Sequence, residues 1–394
     1  MSFILTKDQL LSDIHEAYKK AKKGKSDRNY VTEFEKNLEQ NLMSLCDELY
    51  ERRYTPLPSF CFIVEYPKKR EVFAAHFKDR IVHHLYFDYT HEMFERTFIQ
   101  DSYSCIKDRG THYGIERLEH HIRQESNNYH DKAYILKMDI KGYFMNIDRN
   151  ILLRIVNSTI DSMKYHRISF DSPKKWEDVT DFDFIKYLSK VIIMVDPTKD
   201  CIFCSKKEMW DGLPSSKTLF GKNDSKGLPI GNLTSQLFSN VYLNELDQFV
   251  KRTLKCRHYG RYVDDFFLIS RDKQFLHNSI TKISDFLLDN LGLSVQQGKT
   301  IITSSNQGVE FLGAYLRPYR KYISNKTLKR MKGNLYKTIK ENPDSDHLPT
   351  VNSYLGILKH YSSYNIRVEM FCGIDNIYKN GAFNADITKM IRRP

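Results

Sequence analysis

The segment 257-RHYGRYVDDFFLIS-270 contains two consecutive aspartates, Asp264 and Asp265, between flanks rich in aromatic and branched residues. Such flanks are typical of β-strands. Consecutive side chains of a strand point to opposite faces, but a hairpin turn breaks this alternation, so both carboxylates can approach one centre. We therefore predict a helix from Ser235 to Leu254, followed by a hairpin with two acids at its tip.

A third carboxylate ends another apolar segment, 134-YILKMD-139. If the two segments are neighbouring strands of one sheet, Asp139 lies beside Asp264, and together the acids can chelate two Mg²⁺ ions. Hard cations prefer oxygen ligands, and a pair of ions about 4 Å apart stabilises the attacking and the leaving oxygen of a phosphoryl transfer. Adjacent aspartates in general are more often solvated turn residues. The strand context is what favours metal-dependent chemistry on phosphates here.

Helical and strand patterns alternate along the rest of the chain, which is typical of an α+β protein. The predicted helices run up to about Tyr50, from Arg80 to Phe98 and from Arg149 to Ile160, and the predicted strands are Phe60 to Tyr66 and Glu310 to Leu316. We interpret the polar stretch from Asp161 to Lys226 as an inserted loop region that covers part of a cleft.

The charge balance favours a polyanionic partner. The chain of 394 residues has a formal net charge of +12 and a sequence pI of about 9.1. Residues 319–394 contain 14 Lys or Arg against six Asp or Glu, so they hold +8 of the +12. This concentration indicates a module that contacts phosphates, and the alternative is a solvated charged surface.

Other features exclude classes of protein. The cysteines are scattered, and Cys201 and Cys204 form a C-x-x-C pair without a second pair, so we interpret them as incidental rather than as zinc ligands. The apolar runs are far shorter than the roughly 20 residues that cross a bilayer. No cleavable hydrophobic segment directs the chain to secretion, so we expect a cytoplasmic protein without a membrane partner.

The motifs resemble those of a known family. The segment 262-YVDD-265 resembles the signature turn of reverse transcriptases, and 137-KMDIKGYFMNID-148 is similar to their first acidic motif. The order continues through further motifs, so the resemblance covers roughly residues 55 to 320. These are 67-PKKREVFAAHFKDRIVHHL-85, 228-LPIGNLTSQ-236, 297-QGKT-300 and 311-FLGAYLRP-318.

The resemblance implies an α+β right-hand polymerase that copies a template RNA onto a cDNA or primer strand, using deoxynucleoside triphosphates and two Mg²⁺ ions. Its fold is fingers, a palm built on an antiparallel sheet with helices on one face, and a helical thumb. The implied division is a helical, basic extension at 1–50, fingers at 51–133, palm at 134–150, fingers or insertion at 151–235, palm at 236–318 and a basic thumb at 319–394.

The resemblance also implies roles for single residues. Asp139, Asp264 and Asp265 are the expected catalytic carboxylates and metal ligands, with the main-chain carbonyl of Ile140 as a further ligand. The expected contacts to the nucleotide come from Lys69, Arg70, Phe144, Ile230, Gly231, Gln236 and Lys299, and the expected primer grip consists of Phe311, Leu312 and Gly313.

Several of these roles have a physical reason and a plainer alternative. Lys69 and Arg70 neutralise triphosphate oxygens, or they form a basic surface turn. Phe144 lies at the family's steric-gate position, where a ring rejects a 2′-hydroxyl, or it packs in the core. Lys299 assists the departure of pyrophosphate. The segment that begins at Phe311 is otherwise an ordinary half-buried strand.

One motif indicates a subgroup. Many relatives have glutamine before the glycine of the nucleotide-pocket motif and proline at its end, whereas this chain has Ile230 and Gln236. The pattern I-G-x-x-x-S-Q resembles reverse transcriptases of diversity-generating retroelements, bacterial and phage systems that mutate their copy chiefly at adenines. These systems imply a small basic accessory protein that forms a ring. The alternatives are retron-type and antiphage-defence reverse transcriptases, and a catalytically idle RNA-binding protein with the polymerase shape.

Overall fold

The computed structural model describes residues 3–66, 68–223, 225–342, 345–372 and 381–392. The helices are α1 (Lys7–Lys22), α2 (Asn29–Glu35), α3 (Leu38–Tyr50), α4 (Phe77–Glu95), α5 (Thr111–Glu125), α6 (Tyr143–Asn146), α7 (Arg149–Met163), α8 (Phe182–Met194), α9 (Leu233–Gln248), α10 (Lys273–Leu291), α11 (Asn325–Glu341), α12 (Leu348–Leu358) and α13 (Tyr364–Phe371). The strands are β1 (Phe60–Val64), β2 (Arg70–Ala74), β3 (Tyr134–Asp139), β4 (Ile202–Phe203), β5 (His258–Tyr262), β6 (Asp265–Ser270), β7 (Ile301–Ser304), β8 (Val309–Phe311), β9 (Ala314–Arg317), β10 (Arg320–Ile323), β11 (Ala382–Phe383) and β12 (Met390–Ile391).

An antiparallel sheet of four strands, in the order β5-β6-β3-β7, holds the predicted acids. β5 and β6 form the predicted hairpin, with Tyr262 opposite Asp265. β3 coincides with the predicted strand, and its register places Asp139 opposite Asp265. The prediction that both acidic segments lie on neighbouring strands is therefore confirmed.

The two faces of this sheet enter different cores, because alternate side chains point to opposite sides. Leu136 and Met138 join the main core with residues of α4, α7, α9 and α10. Ile135 and Phe267 face the other way, toward α5 and the β8–β9 hairpin. The mixed α/β architecture of a right-hand polymerase is confirmed, and α5 adds a helix on the second face.

A smaller sheet, in the order β2-β1-β4, combines two strands that precede β3 in the chain with one that follows it. On β2, the carboxylate of Glu71 is fully buried and accepts hydrogen bonds from Trp210 Nε1, Thr218 Oγ1 and the Leu219 N–H, at 2.7 Å each. This buried acceptor ties the segment around residues 210–219 to the sheet, because leaving such a group unpaired is costly.

Two predictions from the sequence are wrong. The stretch from Asp161 to Lys226 is not only loop, because it contains α8. Its residues Phe184, Ile185 and Leu188 are buried and recur at helical spacing within a polar neighbourhood. The single strand predicted from Glu310 to Leu316 is the β8–β9 hairpin.

Both ends of the described chain are mainly helical. At the N-terminal end, Leu10, Ile14 and Tyr18 of α1 are buried, as their spacing predicts. Residues after 319 build a separate apolar core from α11, α12 and α13, whereas 343–344, 373–380 and 393–394 lie outside the described residues. No helix in the described ranges has the length and apolar character needed to span a membrane.

Candidate active site

The turn between β5 and β6 consists of Val263 and Asp264. Val263 has φ 54°, a left-handed conformation that β-branched residues rarely adopt. The carbonyl of Asp264 accepts a hydrogen bond from the N–H of Ile140 at 3.3 Å. This bond joins the turn to the residue that follows Asp139, so the ends of two strands meet there.

Asp139 and Asp264 affect each other electrostatically. Burial raises the pKa of Asp264 above its ordinary value, and the negative charge of Asp139 raises it further. The positive charges of Lys299 and Arg70 act in the opposite direction. Lys299 Nζ lies 2.6 Å from Asp139 Oδ2, so a cation already neutralises this carboxylate.

Asp265 has a different environment. Burial raises its pKa to about 6, and the positive charge of Lys137 partly opposes this. Lys137 Nζ lies 3.3 Å from Asp265 Oδ2, while the buried Oδ1 has no hydrogen-bond partner among the described residues. Asp265 therefore interacts with β3 two residues before Asp139.

The carboxylates suit a hard cation as ligands, but they do not form a complete metal site. Within the described ranges, no group of three or more His, Cys, Asp or Glu side chains is arranged to hold a metal ion. However, Asp139 and Asp264 are carboxylates whose mutual repulsion a divalent cation would relieve. The unpaired oxygen of Asp265 is a further acceptor nearby. These residues fit Mg²⁺.

A group of cations surrounds the approach to these acids. Burial lowers the pKa of Lys68, and the nearby positive charges of Lys326, Lys299, Arg70 and Lys217 lower it further. This repulsion between positive side chains favours the binding of a polyanion, which would relieve it. The charge of Arg70 also acts on Asp264, so this arginine lies near the aspartates.

Lys69, in contrast, is not brought to the acids. Its Nζ donates to the carbonyl of Asp211 at 2.8 Å. Lys68, Lys217 and Lys326 were not identified from the sequence. Lys68 lies inside the quoted motif that begins at residue 67, beside Lys69 and Arg70, which is a usable signal, but Lys217 and Lys326 come from distant segments that carry no local mark.

The predicted nucleotide-pocket residues come from two segments that contact each other. Phe144 of α6 is half-buried, and its carbonyl accepts a hydrogen bond from the Leu228 N–H at 2.8 Å. Ile230 packs against the small core of the β2-β1-β4 sheet, and its carbonyl accepts from the Phe73 N–H at 3.0 Å. Gln236 is exposed on α9.

A side chain at Gly231 would be strained and crowded. This glycine has φ 129°, and an added Cβ would lie 3.0 Å from Val72 Cγ1 and 3.2 Å from the Phe73 carbonyl. The glycine therefore allows the segment 228–236 to run close to β2.

The predicted primer-grip residues form a tight turn. Phe311 ends β8 and is fully buried, with its ring 5.3 Å from the ring of Phe267. Leu312 and Gly313 have φ 49° and 83°, as the two central residues of a hairpin turn require. The ring of Phe311 belongs to the core, so the half-buried Leu312 and Gly313 are the more accessible part of this element.

A buried ion pair supports the acidic turn, and the sequence analysis missed it. Arg261 and Asp247 have fully buried side chains, with Arg261 Nη2 2.7 Å from Asp247 Oδ2. Arg261 Nη1 also donates to the carbonyl of Val263 at 3.1 Å. A charged residue between the glycine and the tyrosine of a strand was the available signal, because such a group requires a partner if it is buried.

The family is shown by comparison with known proteins. Residues 68–316, more than half of the chain, match the family described as "Reverse transcriptase (RNA-dependent DNA polymerase)". The chain belongs to the reverse transcriptase family. Its enzymatic class is therefore that of RNA-directed DNA polymerases, and the predicted reverse transcriptase is confirmed.

Individual relatives are distant. Protein YkfC of Escherichia coli is 21% identical over 318 residues, which cover 72% of each chain. A structure of apo telomerase from Candida tropicalis, truncated from the C-terminal domain, is 13% identical, with a TM-score of 0.47, and the match covers 68% of this chain and 55% of that one. For telomerase from Candida albicans with a fragment of telomeric RNA, the identity is 11%, the TM-score 0.46 and the coverage 73% and 52%. This reverse transcriptase spans about half the length of those telomerase chains.

Proposed function

We propose that this reverse transcriptase copies an RNA template into DNA by nucleotidyl transfer, with Asp139 and Asp264 as the central metal ligands. The observation that carries the proposal is the meeting of two strand ends, where the Ile140 N–H bonds to the Asp264 carbonyl and the Asp139 charge raises the pKa of Asp264. Asp265 and the Ile140 carbonyl are proposed as further ligands.

The two Mg²⁺ ions, when bound, would activate the primer 3′-hydroxyl and neutralise charge on the departing pyrophosphate. The protein itself positions charged side chains around the ions and the nucleotide. Lys299 neutralises Asp139 before substrate arrives, and its exposed, flexible side chain can move to the pyrophosphate oxygens. Arg70 contributes positive charge from β2, where it faces the same acids.

The proposal also assigns roles to the other segments of the chain. Residues 1–50 form the N-terminal extension, 51–133 and 151–235 the fingers with the sheet β2-β1-β4, 134–150 and 236–318 the palm, and 319–394 the thumb. Phe144 is the steric gate, and the 228–236 segment with Gly231 and Gln236 lines the nucleotide pocket. Lys69 contributes to triphosphate binding only if it leaves the Asp211 carbonyl. Leu312 and Gly313, supported by Phe311, grip the primer end.

Primer extension on an RNA template tests the catalytic proposal. Asp264→Asn should reduce the extension rate by at least about 10³-fold, because a lost metal ligand removes several kcal/mol of transition-state stabilisation. The matched control is Asp289→Asn, at an exposed position of α10, which should extend at the parental rate. Parental extension by Asp264→Asn would contradict the proposal.

The same assay separates the alternative classes. An idle RNA-binding protein would bind the template and incorporate nothing with any divalent metal. A polymerase of the antiphage-defence type would extend without added template. Template-dependent synthesis that is lost in Asp264→Asn supports a reverse transcriptase over both.

We further infer that the enzyme belongs to a diversity-generating retroelement and copies adenines with errors. Ile230 supports this, because its main chain is fixed on β2 by the Phe73 N–H and its half-buried side chain is apolar. An amide at this position could hydrogen-bond near the nucleotide, whereas isoleucine cannot, so one polar constraint on pairing geometry is removed. The alternative is that Ile230 only contributes to packing in the core of the fingers.

Sequencing of cDNA made by Ile230→Gln and by the matched control Ile230→Leu tests this inference. One hydrogen bond contributes about 1 kcal/mol, so Ile230→Gln should lower adenine misincorporation by about fivefold. Ile230→Leu should keep the parental error rate. Unchanged adenine errors in Ile230→Gln would contradict the inference, and parental cDNA without an adenine bias would favour a retron-type enzyme.

The subgroup proposal also includes a partner and a location. A small basic protein that forms a ring would assist priming in the cytoplasm of a bacterial host. Co-purification of the reverse transcriptase with the product of a small basic reading frame beside its gene would support this. Separate elution of the two proteins in the presence of template RNA would contradict it.

A further inference from the structure

A hairpin that projects from the polymerase fold follows α7. Its two sides are joined by main-chain hydrogen bonds from Ile168 to Lys174 at 3.0 Å and from Trp176 to His166 at 3.0 Å. The tip closes between Ser169 and Ser172. We refer to residues 164–177 as the 164–177 hairpin.

The base of the 164–177 hairpin is fixed to the main core. Trp176 is buried, and the Arg96 guanidinium lies 5.6 Å from its ring. Arg96, at the end of α4, also donates to the carbonyls of Arg167 and Ile168. These contacts hold the hairpin in a defined position, which is what a preformed binding element requires.

The 164–177 hairpin exposes two aromatic rings, Phe170 at its tip and Tyr165 near its base. Phe170 is 94% exposed and Tyr165 is 65% exposed. The Nζ atoms of Lys164 and Lys175 lie 5.5 and 6.0 Å from the Tyr165 ring. A phenyl ring that folding leaves in water, on a hairpin that is itself well anchored, indicates a contact with another molecule.

The charge around these rings selects the partner. Residues 164–176 contain four Lys or Arg and one acid, Asp171. No carboxylate of the described residues lies within ion-pair distance of Lys164, Arg167 or Lys174, whereas Lys175 pairs with Glu177 at 3.5 Å. Exposed aromatic rings together with cations that lack a carboxylate partner are an arrangement that binds single strands, because bases stack on the rings and phosphates meet the cations.

We propose that the 164–177 hairpin binds single-stranded RNA, with a base stacked on Phe170 and phosphates on Arg167 and Lys174. A protein partner fits less well, because lysine is depleted in the cores of protein interfaces. α7 has 15 residues, so it separates the hairpin from Asp148 by about 22 Å. The hairpin contains none of the residues of the candidate active site, so the contact goes beyond the proposed function.

Fluorescence anisotropy with a labelled oligouridylate of about 20 nucleotides tests the proposal. The assay contains no primer, nucleotide or Mg²⁺, so its outcome is independent of catalysis. Phe170→Ala should raise the Kd at least about fivefold, whereas Phe170→Trp should retain the parental Kd, because it keeps a ring for stacking. Tyr50→Ala, which removes an exposed ring at the end of α3, is the matched control and should bind like the parent.

A second variant tests the phosphate contacts. Lys174→Gln combined with Arg167→Gln should reduce the slope of log affinity against log salt by about 1.4, because each phosphate contact on a single strand contributes about 0.7. Equal thermal unfolding midpoints exclude misfolding as the cause. Parental affinity in Phe170→Ala would overturn the proposal. An equal loss of affinity for duplex RNA would also overturn it, because paired bases cannot stack on Phe170.

Discussion

Removal of the Asp247 carboxylate should destabilise the fold and the acidic turn together. Asp247 accepts hydrogen bonds from Arg261 Nε and Nη2, at 2.7 Å each, and from the Tyr259 hydroxyl at 2.6 Å. Both charged side chains are 0% exposed. Asp247→Ala leaves a guanidinium buried without a counter-charge, which costs about 3 to 5 kcal/mol. The loss is a large part of the roughly 5 to 15 kcal/mol by which proteins are stable.

Urea denaturation of the purified variants measures this loss. The matched control is Asp131→Ala, since Asp131 pairs with Arg271 at 3.0 Å with side chains 45% and 54% exposed. An exposed pair of this kind contributes about 0 to 1 kcal/mol. A double replacement, Asp247→Leu with Arg261→Met, should recover most of the stability, because it removes both charges and keeps much of the volume.

The double variant also separates stability from function. Arg261 donates to the carbonyl of Val263, so its loss should leave the turn less well held and lower the primer-extension rate even when stability returns. A loss below about 1 kcal/mol in Asp247→Ala would refute the reasoning. A double variant as unstable as the single one would refute it too, because uncompensated charge could then not be the cause.

Three further changes have defined outcomes. Gly260→Ala places a Cβ 2.2 Å from the Tyr103 hydroxyl oxygen, so the thermal midpoint should fall by the equivalent of about 1 to 3 kcal/mol. Burial raises the pKa of Asp79 to about 6 from 3.8, so its stabilising contribution is full below pH 3.8 and is lost as the pH rises to about 6. Asp79→Asn should therefore gain stability relative to the parent over this pH range, by up to about 3 kcal/mol, in urea titrations at each pH. Lys299→Met removes the cation beside Asp139 and should raise Mn²⁺ affinity by up to about fivefold in calorimetry.

The acidic strands could be predicted because their signals are local. Tyr134–Asp139 is an apolar run that ends in a charge, and the 257–270 segment has strand flanks on both sides of its two acids. Hydrophobic side chains of alternate positions reach both cores, which stabilises these strands whatever surrounds them. Their pairing followed from the chemical requirement that the acids meet.

The cationic surroundings could not be predicted in the same way. The buried carboxylate of Glu71 accepts hydrogen bonds from the Thr218 hydroxyl and the Leu219 N–H. These bonds place Lys217 close enough to Lys68 for its charge to lower the pKa of Lys68. That arrangement depends on contacts between segments almost 150 residues apart, for which a single sequence carries no pattern. α8 was not predicted because its apolar positions lie within a stretch of sequence that is mainly polar.

The acidic turn combines interactions that are unfavourable one by one. Val263 has the positive φ that β-branched residues avoid, at a cost on the order of 1 to 3 kcal/mol. The charge of Asp139 raises the pKa of Asp264, so the two carboxylates repel each other. Such unfavourable features persist only where other interactions of the fold hold them in place. Here Arg261, which is paired with Asp247 in the protein interior, donates a hydrogen bond to the Val263 carbonyl. Prediction from local patterns assumes that neighbouring preferences agree, so it identified the acids and missed the residues that keep them together.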